Sequence, residues 1–299
     1  MGVKTVLFFV VAILLVLLTA IYLFPMNTVN FNVNPNYNFS VIQGSVSEQF
    51  YPNMRFPSSA ISYRISDCPL QKENDMEYAF REVEQITPLS FYPVGSNEEI
   101  FVTCQDINVV HEGTFVAGEG GPTNITVAGE FNVIMKGYIL LIEESNCPKP
   151  NIALHELFHV LGFGHSNNPD NIMYNFSSCD QTIGQDMIQT IDTLYAVPSL
   201  PDLRFEDAAA TMSGRFLNIN LTVMNAGLAD AGNSNVIIYG DGKVLKEVDI
   251  DSLEIGQGII TMIQNIFVSQ LNVQKIELVI NDNFSEISKD NNRMELEIK

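Results

Sequence analysis

The most pronounced hydrophobic pattern in the chain is an uncharged apolar run at residues 5–24. A helix of about 20 apolar residues is long enough to cross a bilayer. Lys4 is the one charged side chain on the short N-terminal side, which predicts a single-pass cell-membrane protein with its N-terminus inside and the rest outside. The alternative is a cleaved signal peptide and a secreted protein. We favour an anchor over residues 1–24, because no small-x-small cleavage site precedes Pro25.

After the apolar run, the hydrophobic pattern is irregular up to residue 55 and becomes periodic from residue 56. Residues 25–55 are rich in Asn, Pro and aromatic residues without a period, which predicts an extended stalk or an arm against the first domain. Helical and alternating apolar patterns are mixed over residues 56–198, which predicts an α+β domain. Its expected elements are strands at 60–65, 99–104, 131–135 and 137–142, a helix at 67–87 and a glycine-rich loop at 113–129.

A second domain is predicted after the Pro-rich break at residues 197–202. Short alternating strands separated by turns are typical of a β-sandwich, which we place at residues 199–299. The hairpin signal Gly240-Asp241-Gly242 joins two of these strands. The expected strands are 216–223, 235–239, 243–248, 259–268, 274–280 and 293–298.

Composition narrows the function classes. A length of 299 residues exceeds the usual size of one domain, and 46% hydrophobic residues suffice for packed cores. The formal net charge of −20 at pH 7 argues against nucleic acid and anionic lipid as partners. The acidity does not by itself indicate a substrate.

The candidate chemistry lies in residues 155–165, which read HELFHVLGFGH. Residues four apart lie on one face of an α-helix, so His155 and His159 can bind one metal ion. Gly162 lets the chain leave the helix in a left-handed turn and bring back His165 as a third ligand. Three imidazoles and an open position are the arrangement of a catalytic zinc site rather than a structural one.

Glu156 follows the first histidine and is rotated about 100° from it around the helix. Its carboxylate therefore lies beside the metal, where it can take a proton from a metal-bound water and pass it to a leaving amine. The alternative is an exposed helix with incidental histidines. The chain has only 4 histidines, and three of them occupy this motif, which disfavours that alternative.

The stretch resembles the signature of the metzincin metalloproteases and, within them, is most similar to the matrixins. Ser166 directly follows the third histidine, and Met173 in Asn-Ile-Met-Tyr stands where those proteins have the Met-turn methionine. Residues 186–195 resemble the closing helix of the matrixin domain. The resemblance implies a zincin-like fold, with a twisted mixed sheet and an active-site helix, and a protein or peptide substrate bound along a strand edge.

The resemblance also implies roles for individual residues. His155, His159 and His165 would be the zinc ligands, Glu156 the general base and acid, and Met173 a hydrophobic floor beneath the ligands. Matrixins carry a second, structural zinc, but only His111 remains for it here, so we expect one zinc ion. Glu112, Glu119 and Glu130 lie among glycines and could hold Ca²⁺, although their spacing matches no calcium motif.

The four cysteines all lie in the first domain, and an even number in an exported chain favours disulfides over free thiols. Sequence alone leaves three connectivities open. Cys68 and Cys104 each follow a predicted strand, and Cys147 and Cys179 flank the metal motif and the methionine turn. We therefore predict the pairs 68–104 and 147–179.

The second domain resembles CARDB, an immunoglobulin-like module related to adhesion. The resemblance rests on Asn225-Ala226-Gly227, Asn281-Asp282-Asn283 and Asn291-Asn292-Arg293. It implies a binding or spacer role, with a surface ligand as a possible partner. The whole chain is thus expected to be a membrane-anchored zinc endopeptidase. The alternatives are a surface adhesin with a catalytically weak zinc domain and a structural zinc protein.

Overall fold

The computed structural model describes residues 2–23, 28–33, 49–105, 110–111, 114–145, 147–270 and 273–298. The chain divides into two compact units. One comprises Val41–Leu200, and the other combines Met1–Ser40 with Pro201–Lys299.

Helix α1 (Val3–Leu23) and strand β1 (Thr28–Val33) come first in the chain. The predicted transmembrane anchor is wrong, because no helix in the described part of the chain is long and apolar enough to cross a membrane. The same finding overturns the predicted single-pass location.

The unit Val41–Leu200 has an α+β arrangement around one apolar core. Helix α2 contributes Met76, Phe80 and Val83, whose spacing places them on one helical face, and all three are buried. The elements are β2 (Met54–Arg55), β3 (Ala60–Ser66), α2 (Leu70–Ile86), β4 (Ser90–Pro93), β5 (Ile100–Cys104), β6 (Val110–His111), β7 (Thr114–Phe115), β8 (Gly118–Ala128), β9 (Phe131–Leu141), α3 (Asn151–Val160) and α4 (Gln185–Tyr195).

The sheet of this unit follows the order β2-β9-β5-β3-β4, and neighbouring strands in that order run parallel. Strand β8 pairs antiparallel with β9 from one end to the other, from Ala128 opposite Phe131 to Gly118 opposite Leu141. The strands β2 and β5 therefore lie on the other side of β9. Within the described residues β8 is an edge strand that pairs with β9 alone.

Two sequence-based expectations for this sheet are wrong. The glycine-rich segment 113–129 is mostly strand β8 rather than a loop, and the two strands expected at 131–135 and 137–142 are the single strand β9. Gly137 interrupts the apolar pattern of the strand, but its lack of a side chain allows β9 to pack closely against α3. A Cβ at that position would lie 2.4 Å from Cγ1 of Val160, at the end of α3.

The second unit is an all-antiparallel sheet of eight strands in the order β13-β12-β15-β16-β1-β10-β11-β14. Alternate positions of these strands are buried and form the core, as in the burial of Leu217, Ile219 and Leu221 along β11. Its C-terminal strands are β10 (Leu203–Ser213), β11 (Phe216–Asn225), β12 (Ser234–Gly240), β13 (Lys243–Ile250), β14 (Gly258–Phe267), β15 (Lys275–Asn281) and β16 (Arg293–Ile298).

Strand β1 lies inside this sheet although it comes from the other end of the chain. Phe31 is opposite Ala210 of β10 on one side and Ile298 of β16 on the other, and its side chain is fully buried. The strand falls within residues 25–55, for which the sequence predicts a stalk. The remainder of that stalk before residue 49 lies outside the described residues.

The position of β1 gives a prediction about stability. Phe31→Ala should lower the free energy of unfolding of the second unit by about 3–5 kcal/mol, since it removes a buried aromatic ring. Amide hydrogen exchange in β10 and β16 should accelerate accordingly. Asn32→Ala, at the neighbouring exposed position, is the matched control and should change exchange little. Unchanged protection in the Phe31→Ala variant would contradict the placement of β1.

Candidate active site

Helix α3 carries three of the candidate residues, His155, Glu156 and His159. The helix ends at Val160, and Gly162 follows with a φ of +97°, a left-handed conformation that L side chains rarely adopt. This turn brings His165 back toward the helix. One ring nitrogen from each of the three histidines lies within 4.8 Å of the others.

The orientation of two histidine rings is set by backbone carbonyls. Nδ1 of His155 lies 2.7 Å from the carbonyl oxygen of Ile172, and Nδ1 of His159 lies 2.8 Å from that of Phe163. A carbonyl can only accept a hydrogen bond, so each Nδ1 carries the proton and each Nε2 keeps its lone pair. Nε2 of His159 lies 3.2 Å from Nε2 of His165. The arrangement therefore presents metal-binding nitrogens toward one point.

Burial keeps these imidazoles neutral. Desolvation lowers the pKa of His155, and it lowers the pKa of His159 to about 4, with further lowering from the neighbouring histidines. At neutral pH both rings are therefore in the neutral form that metal binding requires.

Glu156 is nearly fully buried, with 5% of its surface exposed. Burial raises the pKa of its carboxyl to about 8, and the negative charge of Glu119 adds to the rise. A cation held by the adjacent histidines would oppose both effects and favour the carboxylate.

Strand β8 passes directly over Glu156. A Cβ at Gly118 would lie 2.9 Å from Cγ and Oε1 of Glu156, and a Cβ at Gly120 would lie 2.4 Å from its carbonyl oxygen. The sequence analysis missed these two glycines, which allow β8 to approach Glu156 closely. Their spacing of two, which places both on one face of a strand, was the signal that could have revealed them.

Met173 is fully buried in a tight turn between Asn171 and Tyr174. Its backbone N–H donates to Oδ1 of Asn171 at 2.8 Å, and its carbonyl accepts from the N–H of Ser166 at 2.8 Å. The turn is thus attached to the residue that follows His165. It also supplies the Ile172 carbonyl that orients His155, so it supports two of the three histidines.

The three histidines face an open cleft of about 770 Å³. Its lining includes the segment from Val116 to Gly120 and the segment from Tyr174 to Ser177. Glu156 lies in the same cleft, and Glu119 is an exposed acidic side chain at its border. The cleft brings the sequence-predicted His and Glu residues together with the edge strand β8.

Two disulfides fix the surroundings of the cleft. Cys68–Cys104 joins the segment after β3 to the end of β5, with a Cα–Cα distance of 4.8 Å. Cys147–Cys179, with a Cα–Cα distance of 5.1 Å, closes a loop that contains α3, the turn at Gly162 and the methionine turn. These are the pairings that the sequence analysis favoured.

The acidic residues that were considered for Ca²⁺ do not form a cluster among the described residues. Glu119 and Glu130 lie beyond each other's reach, near the two ends of β8, and Glu112 lies outside the described residues. His111 is in β6, and its side chain is not described. Among the described residues, the three-histidine group is the one cluster of His, Cys, Asp or Glu that could hold a metal ion.

Comparison with known families agrees with this division of the chain. Residues 55–196 match the family model described as Matrixin, and residues 200–295 match the CARDB model. The chain carries a matrixin domain followed by a CARDB domain. A solved CARDB domain from Pyrococcus furiosus, described as in complex with di-metal ions, is 17% identical over 33% of this chain and 88% of its own length, with a TM-score of 0.28.

The glycines of β8 provide a matched test of how the matrixin domain is packed. Gly120→Ala should destabilise this domain by about 1–3 kcal/mol, because the new methyl group meets the backbone of Glu156 and forces strand and helix apart. Gly121→Ala should be neutral or slightly stabilising, since a Cβ there meets nothing within 4 Å. Calorimetric unfolding measures both. Equal effects of the two substitutions would contradict the close approach of β8 to α3.

Proposed function

We propose that this protein is a zinc-dependent endopeptidase in which His155, His159 and His165 bind the metal and Glu156 handles the proton. The observation that carries the proposal is the convergence of three imidazole nitrogens beside a buried carboxyl group in an open cleft. The match of residues 55–196 to the matrixin family model supports the assignment as a metalloprotease.

The donor set fits zinc. Zn²⁺ favours imidazole nitrogen, and catalytic zinc sites have three protein ligands and one position left for water or substrate. His155 and His159 are neutral, with the Nε2 lone pair available, and His165 is exposed on the cleft side. A structural site would instead be closed by a fourth protein ligand. When bound, zinc would polarise the scissile carbonyl and make a coordinated water more acidic.

Glu156 is placed to move the proton. It follows His155 by one position on α3, so its carboxyl group lies beside the histidines without competing for the metal. As a carboxylate it accepts a proton from the attacking water, and as the acid it returns that proton to the leaving amine. Gly118 and Gly120 pack over it, which leaves 5% of its surface exposed.

Strand β8 is the proposed platform for the substrate backbone. It is an edge strand over the described residues and borders the cleft beside Glu156. An extended peptide can add to such an edge through main-chain hydrogen bonds, which demand little of the peptide's sequence. The two glycines keep β8 close to α3, so that a peptide on this edge passes the histidine group.

The decisive experiment compares the full chain with its Glu156→Gln variant, which keeps the shape of the side chain and removes its charge. Cleavage of a mixed peptide library should fall by roughly 10²–10⁴ in the variant. Both proteins should still bind one zinc ion per chain, because Glu156 is not a ligand. Chelation should abolish cleavage by the parent, and added zinc should restore it.

Two results would contradict the proposal. Equal cleavage by parent and variant would remove Glu156 from the reaction. Zinc binding without cleavage by either protein would favour the alternative of a binding protein with a catalytically weak zinc domain.

A further inference from the structure

The segment Gln49–Met54 packs against the turn that follows α3. The backbone N–H of Phe50 donates to the carbonyl of Gly162 at 2.9 Å, and Gln49 forms an antiparallel bridge with Phe163. The side-chain amide of Gln49 closes the segment on itself. It donates to the carbonyl of Met54 at 2.8 Å and accepts from the Met54 N–H at 3.1 Å.

The turn and the segment fit closely at one point. A Cβ at Gly162 would lie 2.8 Å from Cβ of Met54 and 3.5 Å from Nε2 of Gln49. Met54 itself is almost fully buried. The path of the chain after α3 is therefore coupled to residues that precede the part matching the matrixin model, which begins at residue 55.

This pairing holds His159 from two sides. The Phe163 carbonyl fixes the Nδ1 edge of the ring by a hydrogen bond. The ring of Phe50 stacks on the face of the imidazole, with centroids 5.8 Å apart and planes inclined by 20°. A single hydrogen bond leaves the ring free to rock about that contact, and the stacked phenyl ring limits this movement.

Phe50 contributes little to the apolar core. Its side chain is 47% exposed, and it is not among the residues that pack the core of this unit, whereas His159 is buried. A half-exposed aromatic ring contributes little to folding. Because this ring stacks on a candidate metal ligand, its main effect is on the orientation of that ligand.

We propose that Phe50 is a positioning residue for His159 and that residues 49–54 brace the metal site from outside the matrixin match. The proposal rests on the zinc site put forward above. It concerns the affinity of the site for its metal, which can be measured without any substrate.

The test compares Phe50→Ala with Tyr51→Ala, a matched control at the adjacent position, which is 55% exposed. Zinc affinity is measured by competition with a chromophoric chelator. Loss of a supporting group around a metal ligand typically weakens binding about 10–100-fold, so Phe50→Ala should bind zinc at least about 10-fold more weakly. Tyr51→Ala and Phe50→Tyr, which keeps the stacked ring, should bind like the parent.

Thermal unfolding of the metal-free proteins separates positioning from folding. The midpoint for Phe50→Ala should match that of Tyr51→Ala. Parent-like zinc affinity in Phe50→Ala would overturn the proposal while leaving the zinc site intact. An equal loss in Tyr51→Ala, or a lowered metal-free midpoint in Phe50→Ala alone, would reduce the role of Phe50 to a structural one. Failure of the parent to bind zinc would overturn the site itself.

Discussion

Three imidazoles can share one cation only if each turns an unprotonated ring nitrogen toward it, and the matrixin domain meets this condition for two of them with its backbone. The carbonyls of Ile172 and Phe163 bind Nδ1 of His155 and His159, which leaves both Nε2 atoms free. Each carbonyl belongs to a turn whose shape depends on a neighbouring segment. The geometry of the site is thus a property of the fold around α3 rather than of the helix alone.

The supports of the site come from parts of the chain that are far apart in sequence. The methionine turn is attached to Ser166, β8 lies on Glu156, and the disulfide Cys147–Cys179 closes the loop that contains both turns. A buried acidic side chain and two buried or half-buried neutral histidines are unfavourable in the absence of a partner. A bound cation would relieve this unfavourable electrostatics, so metal binding and the stability of this domain should be linked.

The part of the site that could be predicted from sequence is the part encoded locally. The spacing of His155, Glu156 and His159 fixes their faces on one helix, and Gly162 marks the left-handed turn because few other residues adopt it. The disulfide 68–104 followed from two predicted strands, and the disulfide 147–179 followed from cysteines that flank the metal motif and the methionine turn. In each case, residues close in sequence or an ordinary strand order carried the necessary information.

The features that sequence reasoning missed depend on distant contacts. Glycines at 118 and 120 suggested a loop, because a glycine-rich run is typical of loops. The helix backbone that would lie 2.4 Å from a Cβ at Gly120 belongs to a distant part of the sequence. Strand β1 was predicted to be part of a stalk, because a short strand is hard to identify without its partners. These partners, β10 and β16, begin at the distant residues 203 and 293. The apolar run at 5–24 led to a predicted membrane anchor that the described helices do not support.

X-ray absorption at the zinc edge tests the central claim most directly, because it reports the ligands of the bound metal without requiring a substrate. The account predicts one zinc ion with three imidazole nitrogens at about 2.0–2.1 Å and one further oxygen or nitrogen ligand. Two or fewer imidazoles, or a thiolate in the coordination sphere, would contradict the convergence of His155, His159 and His165 on a single metal.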